Sequence, residues 1–404
     1  MAKKKTDDFL SQILKDTGGL TLDIAGKIPY YIDTGNLALN YMCSGKFTDG
    51  GIPGGRITEV FGPPATSKSL LGYCCLGATQ RMGGIAILLD CERASSAEFA
   101  SSAGHVDPSK LITYEPISIE KVKSKILDAT KAIRQHYGKE IPILFVWDSI
   151  GVTPTEREWK ETTLPENPTA AQIKAVGLER PGERARASGD FLRQINPFLN
   201  EQNATLYIIN QVRQKIGVMF GSPETTAGGG KALEFYASCR LRTSAMKRIE
   251  NKDGGFPVGV NLRFENKKSR SSVPGIKTEG VQLFFEHGIN PLGGLLSILH
   301  ALKRIKPVSA GNFEVNPAFS DGKQFKFKAS TVRNDFPVDV LYSFPSLIDL
   351  KSEEEVRQYL DVHSNAINIA CNGSIVEKVV NDEGDEDEKA PNFIEELTSS
   401  SDEE

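Results

Sequence analysis

Near the amino end of the chain, apolar residues fall at Phe9, Leu10, Ile13 and Leu14, the spacing of one face of a short helix. A helix that stands ahead of the main body, joined to it by TGGLTLDIAGKIPYY, must bury that stripe against its own core or against a neighbouring subunit. From about residue 56 the pattern changes to apolar runs of strand length alternating with longer amphipathic segments. Strands are predicted at 56–61 (RITEVF), 84–90 (GIAILLD), 141–148 (IPILFVWD) and 204–211 (ATLYIINQ), with helices over KSLLGYCCLGATQRM and SIEKVKSKILDATKAIRQHY and around ASGDFLRQINPFLNEQ. Continuous apolar strands separated by helices predict a parallel sheet covered on both faces, an α/β architecture. Ligands of such sheets sit at the carboxyl ends of the strands. Two long connections, 151–186 and 212–231, both begin where a strand ends and so project from that edge. Beyond EHGINPLGG (286–294) a smaller, less regular region runs to about residue 378, with helix-like LLSILHALKRI and SEEEVRQYLDVHSNAINIA.

Composition narrows the classes. The chain has 404 residues, 39% hydrophobic and 25% charged, enough for a substantial core and more than one domain. No apolar run approaches the length of a bilayer span, and MAKKKTDDFLSQIL has no apolar signal core, so a cytoplasmic protein is expected. The six cysteines are scattered and make no C-x-x-C pair, which favours reduced buried thiols over a disulfide frame or a zinc site. The net charge of −4 is unevenly spread: Asp382 to Glu404 hold eleven acidic residues and one lysine, carrying −10 and leaving the rest of the chain at +6. A basic body with an acidic tail is compatible with a nucleic-acid partner, the tail acting as a solubiliser or as a competitor with polyanions.

The candidate chemistry lies at the strand ends. Residues 62–69 read GPPATSKS and match the phosphate-binding pattern G-x-x-x-x-G-K-[ST] at Gly62, Lys68 and Ser69, with Ser67 in place of the second glycine. A strand, a Gly-bounded loop and a helix opening at Lys68 are the context such a loop needs. The loop Gly62, Pro63, Pro64, Ala65, Thr66, Ser67, Lys68, Ser69 and Leu70 is expected to bind the nucleotide, its backbone N–H groups and the helix N-terminus supplying partial positive charge for the phosphates. Lys68 would reach the β and γ phosphates of ATP and the Ser69 hydroxyl would ligate Mg²⁺. The next strand ends LLDCE, leaving Asp90 and Glu92 at the same edge, with Glu92 placed to polarise an attacking water. The third ends LFVWDS, so Asp148 takes the position of a Walker B carboxylate that holds Mg²⁺ directly or through water. The fourth ends YIINQ, where the Gln211 amide would contact the γ-phosphate. Whether Ser67 adopts a positive φ, which costs an L-residue about 1–2 kcal/mol, or keeps φ negative is open at this level.

The stretch INQVRQKIGVMFGSPETTAGGGKALEFYASCRL (209–241) closely resembles the second DNA-binding loop and following helix of the RecA recombinase family. DTGNLALN, GGIPGGRITEVFGPP and EHGINPLGG resemble the same family, so the likeness covers roughly residues 30 to 295. The altered phosphate loop and divergent C-terminal third resemble a phage-type member, of the UvsX kind, which would work in the cytoplasm of a bacterial host. The resemblance implies a RecA-type P-loop ATPase core over 36–295, preceded by a polymerisation segment (1–35) and followed by a small C-terminal α/β domain (296–378) and an acidic tail (379–404).

It also implies roles. Lys68 and Ser69 match the P-loop lysine and Mg²⁺ ligand, Glu92 the catalytic glutamate, Asp148 the Walker B aspartate and Gln211 the γ-phosphate sensor, while Phe99 matches an aromatic ring set against adenine. Arg186 and Arg193 match backbone contacts of the first DNA loop and its helix; Arg213, Ile216, Met219, Phe220, Gly229 and Gly230 match the second loop. The family completes its ATP site with two lysines of the adjacent protomer, and here FENKKSR (264–270) puts Glu265 at the first position and leaves Lys267 and Lys268 as candidates. The implied activity is ATP-dependent strand exchange by a homo-oligomeric filament on single-stranded DNA that pairs with homologous duplex. Single-strand-binding and mediator proteins are implied partners. A hexameric DNA helicase on the same core, or a DNA-coating filament protein with weak hydrolysis, are the alternatives.

Overall fold

The computed structural model describes residues 2–22, 26–176, 182–214, 224–226, 228–251, 255–329, 336–362, 367 and 375–379. Ile216, Met219, Phe220, Cys371 and the acidic tail from residue 382 onward lie outside the described residues.

A helix at Ala2–Thr17 comes first, and its apolar stripe faces outward: Phe9 is 67% exposed, Leu10 48% and Ile13 40%. A two-residue ribbon then pairs β1 (Tyr31–Ile32) with β2 (Ile52–Pro53) around a helix at Leu37–Ser44, whose N-cap Asn36 accepts from the backbone N–H of Leu39.

The main sheet begins with β3 (Ile57–Gly62), β4 (Ile85–Asp90), β5 (Leu111–Tyr114), β6 (Ile143–Asp148) and β7 (Ala204–Gln214), which pair in parallel in the order β5-β4-β6-β7-β3. The four predicted strands are all present. The edge strand β5 escapes a reading by apolar runs because its pattern LITY is short and half exposed. Along the strands, alternate residues feed two apolar clusters, one on each face: Val60, Leu88, Val146, Tyr207 and Ile209 on one side, Ile57, Ile87, Phe145, Trp147 and Ile208 on the other. The second face is closed by the helices Ile119–His136 and Glu183–Gln202 through Val122, Ile126, Phe191 and Leu192.

Past β3 the sheet continues as β9 (Cys239–Asn251), parallel to β3, then antiparallel β10 (Gly259–Ser269), β11 (Lys277–Phe284) and β12 (Gly288–Ile289). A three-residue strand, β8 (Glu224–Thr226), pairs antiparallel with the end of β7. The connection after β6 carries two short helices, Glu156–Thr162 and Ala170–Val176, and its two roots are tied together by Arg157 to Glu183 at 2.6 Å and Arg184 to Glu158 at 3.3 Å.

The C-terminal region contains a helix at Leu295–Ala301, an antiparallel sheet of β13 (Ile305–Ser309), β14 (Asn312–Val315) and β15 (Phe325–Lys328), and helices at Val338–Ser343 and Glu353–Asp361. Its apolar residues, among them Phe313, Phe327, Leu341 and Leu360, belong to the same cluster as Leu37, Met42 and Phe47. The Tyr359 hydroxyl, 3.2 Å from a carboxylate oxygen of Asp33, joins the two parts at their polar margin. The last strand, β16 (Ile375–Val379), lies antiparallel to β9.

Candidate nucleotide and DNA site

Strand β3 delivers the chain to the ligand edge under tight constraint. A Cβ built on Gly62 would lie 2.2 Å from the carbonyl oxygen of Thr243 on the neighbouring β9, so only glycine fits where the loop leaves the sheet. Two loop residues, Ala65 (φ 57°) and Ser67 (φ 54°), are left-handed. Ser67 therefore accepts the backbone conformation for which the phosphate-loop pattern supplies glycine, at a cost of about 1–2 kcal/mol. It stands directly before the helix Lys68–Arg81, whose first N–H groups point into the same space.

Lys68 is 8% exposed. Its ammonium donates to the carbonyl of Pro63 and, at 3.3 Å, to Thr66 Oγ1, while Thr66 itself donates to Pro63 O at 2.9 Å. Burial pushes the Lys68 pKa down to about 8, against the opposing pull of Asp148 and Glu92. At Asp148 burial acts the other way, and with help from Glu92 and Asp90 it lifts the carboxyl to about 6, opposed by a hydrogen bond from Ser69 and by Lys68. An ammonium short of solvent beside carboxylates short of countercharge is an arrangement completed by a polyphosphate and a divalent cation.

The two acids at the end of β4 part company. The Asp90 carboxylate accepts the backbone N–H of Arg93 at 2.7 Å and of Ser95 at 3.1 Å, so it builds the turn. Glu92 is left facing the cavity, its Oε1 accepting from the Ser149 hydroxyl at 2.7 Å. The ends of β4 and β6 are stitched by Cys91 N and Glu92 N donating to Asp148 O at 2.8 and 3.3 Å.

These groups line one cavity of about 440 Å³, within the roughly 300–1,000 Å³ usual for ligand sites. Its walls include the loop from Pro64 to Leu70, then Glu92, Phe99, Asp148 and Gln211. The residues expected at the nucleotide edge are thus brought together, apart from Gly62 at the strand end, Pro63 and Asp90. Pro63 instead contributes the carbonyl that holds Lys68. Two lining residues were missed by sequence reasoning, Ile209 and Phe285. Phe285 sits inside the LFFEHGIN stretch, where its aromatic ring just past the end of β11 was the available signal. A second cavity of about 400 Å³ shares Pro64, Ala65, Thr66 and Phe285 with the first and continues over Ala245, Pro257 and Val260. The second is the more apolar of the two, although Ser244 and Arg248 also line it.

The other candidates stand outside this cavity. Arg186 and Arg193 are exposed on the helix Glu183–Gln202, Arg186 lining a groove against the helix Ile119–His136 and Arg193 paired with Asp190 at 2.8 Å. Arg213 is exposed near the end of β7, opposite Thr225. Gly229 (φ 73°) and Gly230 (φ 48°) make the left-handed entry to the helix Gly230–Tyr236. Of the two lysines on β10, Lys268 donates to the carbonyls of Glu234 and Phe235 at 2.7 and 2.8 Å, closing the C-terminal end of that helix. Lys267 is 41% exposed and pairs with Glu265 at 2.8 Å. Cys43, Cys74, Cys75 and Cys239 are buried free thiols, as expected, and Cys91 is a half-buried one.

Comparison with known proteins points the same way as the geometry. The family model described as the RecA N-terminal domain matches residues 11–157 and 162–290. Curated relatives named Protein RecA include that of Kineococcus radiotolerans, 34% identical over 268 residues, which are 66% of this chain and 68% of the relative. Those of Amycolatopsis mediterranei (33% over 294 residues, 72% and 76%) and Chlorobaculum tepidum (30% over 307 residues, 75% and 80%) are similarly related.

Proposed function

The chain belongs to the RecA family, and we propose from that premise how its own residues serve ATP-dependent recombination and strand exchange. The family activity is that of a DNA-dependent ATPase. The observation that carries the residue assignments is the convergence of the ends of β3, β4, β6 and β7 on one cavity, with the root of the second long loop at the same edge.

In this reading the backbone of 62–70 and the Lys68 ammonium bind the phosphates, and the base lies against Phe99 in the first cavity, with Phe285 at its border with the second. Ser69 and Asp148, already hydrogen-bonded to each other, are the pair suited to hold Mg²⁺. When bound, that ion supplies charge neutralisation at the phosphate oxygens. Glu92, oriented by Ser149, takes the proton of the attacking water, and Gln211 contacts the terminal phosphate.

Arg186, Arg193 and Arg213 supply cationic contacts to the DNA backbone, and Ile216, Met219 and Phe220, with Gly229 and Gly230, form the base-contacting loop. The exposed stripe Phe9, Leu10 and Ile13 fits a neighbouring protomer in a filament. Among the described residues no helix is long and apolar enough to cross a membrane.

Of the two lysine candidates, Lys267 is the better placed to reach a neighbour's nucleotide, because it is exposed and held by one ion pair with Glu265 whereas Lys268 is committed to two carbonyls at the helix end. Substitution Lys267→Ala should lower DNA-stimulated hydrolysis by about 10-fold with the melting temperature unchanged, whereas Lys268→Ala should lower the melting temperature first. Equal kinetic losses in both, with equal stability, would remove the assignment.

The function itself is tested by phosphate release with and without single-stranded DNA, together with homologous pairing and duplex unwinding measured side by side. Strand exchange requires stimulated release and pairing; unwinding without pairing would favour the helicase, and release that ignores DNA would favour a coating protein.

A further inference from the structure

Behind the nucleotide edge lies a buried polar cluster that the reading above does not use. Glu59, on β3 three residues before Gly62, has no exposed surface, and neither has Asn210 on β7. One Glu59 oxygen accepts from Asn210 Nδ2 at 2.8 Å and the other from Arg240 Nε on β9. Arg240 also lies over the ring of Phe61, 4.7 Å from its centroid.

Asn210 uses its whole side-chain amide. Its Nδ2 donates to Gly228 O at 2.9 Å as well as to Glu59, and its Oδ1 accepts from Gly228 N at 3.1 Å and from Gln211 N at 2.9 Å. Gly228 is the point where the second long loop re-enters the fold. A Cβ there would lie 2.9 Å from the backbone of Ile150, whose own N–H donates to Ile209 O at 3.2 Å. The loop root is therefore clamped between the ends of β6 and β7, the strands that carry Asp148 and Gln211.

We propose that Asn210 is a positioning residue that couples the nucleotide edge to the second DNA loop, with Glu59 and Arg240 fixing the orientation of its amide. It touches neither cavity. The same oxygen fixes the peptide of Gln211 and the peptide of Gly228, so a shift of one moves the acceptor of the other. The buried carboxylate has a purpose on this account: it takes the second Nδ2 proton and so reinforces the amide orientation that the peptides of Gly228 and Gln211 already favour. The proposal rests on the reading of Gln211 as a nucleotide contact and of 212–231 as a DNA loop.

The test uses the full chain and measures phosphate release as a function of ATP, with and without single-stranded DNA. In Asn210→Ala the ratio of DNA-stimulated to basal kcat should fall by about 10-fold, the size of an ordinary coupling free energy, while KM for ATP changes by less than about 3-fold. Glu59→Gln, which keeps the volume and one acceptor, should give a smaller fall in the same ratio, and it decides the matter if Asn210→Ala does not fold. An unchanged ratio in a folded variant, or a rise in KM with the ratio intact, overturns the relay. If the unsubstituted protein shows no DNA stimulation, the functional reading falls and takes the relay with it; if it does and the variants match it, only the relay falls.

Discussion

Replacement of Glu92 by Gln is expected to slow DNA-stimulated hydrolysis by about 10²–10⁴-fold while leaving ATP affinity nearly unchanged. The reason lies in how the site divides its labour. On the proposed assignment phosphate binding falls to the loop backbone and Lys68, and the cation to Ser69 and Asp148, which leaves the Glu92 carboxylate with the water. Gln keeps the size of the side chain and an oxygen to accept the Ser149 hydroxyl, now 2.7 Å from Glu92 Oε1, so the turn after β4 should hold its shape. What is lost is the base. A nucleotide-binding titration beside a phosphate-release assay separates the two effects, and the variant should stay on single-stranded DNA longer in ATP because the bound state is not discharged. Normal turnover in Glu92→Gln would place the base elsewhere. Asp90 is not the replacement, since both of its oxygens are engaged by Arg93 and Ser95.

That division was only half legible in the sequence. Apolar runs of strand length ending in Asp, Glu or Gln were enough to place Glu92, Asp148 and Gln211 on one edge, because a parallel sheet aligns all its carboxyl ends. They set Glu92 apart from Asp90 only by its place just beyond the strand; the geometry of a turn, set by backbone donors at Arg93 and Ser95, gives Asp90 its separate task. Phe285 escaped because its partners in the cavity, Phe99 and the phosphate loop, are far away in sequence and meet it only once β11 has paired with β10. The antiparallel half of the sheet was obscured for a related reason. β9 and β10 mix charged residues into their patterns, as in KRIEN and RFENKKS, since parts of both are open to solvent. The cluster of Glu59, Asn210 and Arg240 gave no signal at all, because a buried acid and a surface acid look alike in sequence until their partners are known.

Substitution of Lys68 by Ala is expected to reduce hydrolysis by at least about 10³-fold, the loss typical of removing a main electrostatic contact in a water-poor site. Unlike most buried substitutions it should not cost the protein its fold. The Lys68 ammonium is nearly out of solvent, with the Pro63 carbonyl and Thr66 hydroxyl as its close acceptors among the described residues, and its pKa is pushed down to about 8 by that burial. Its charged form is thus held at a disadvantage that a bound polyphosphate removes. Two signatures follow, neither of which a folding defect would produce. The unsubstituted protein should take up protons when it binds ATP near pH 8, because a neighbouring polyanion raises the lysine pKa and the neutral fraction becomes protonated. Lys68→Ala should lose that uptake. The rise in melting temperature caused by saturating ATP should also shrink or vanish in the variant, while its melting temperature without nucleotide stays level with or above that of the parent. A variant that melts early in the absence of ATP, or that still takes up protons on binding, would mean that the ammonium at this position is structural and that the phosphates are held by another group.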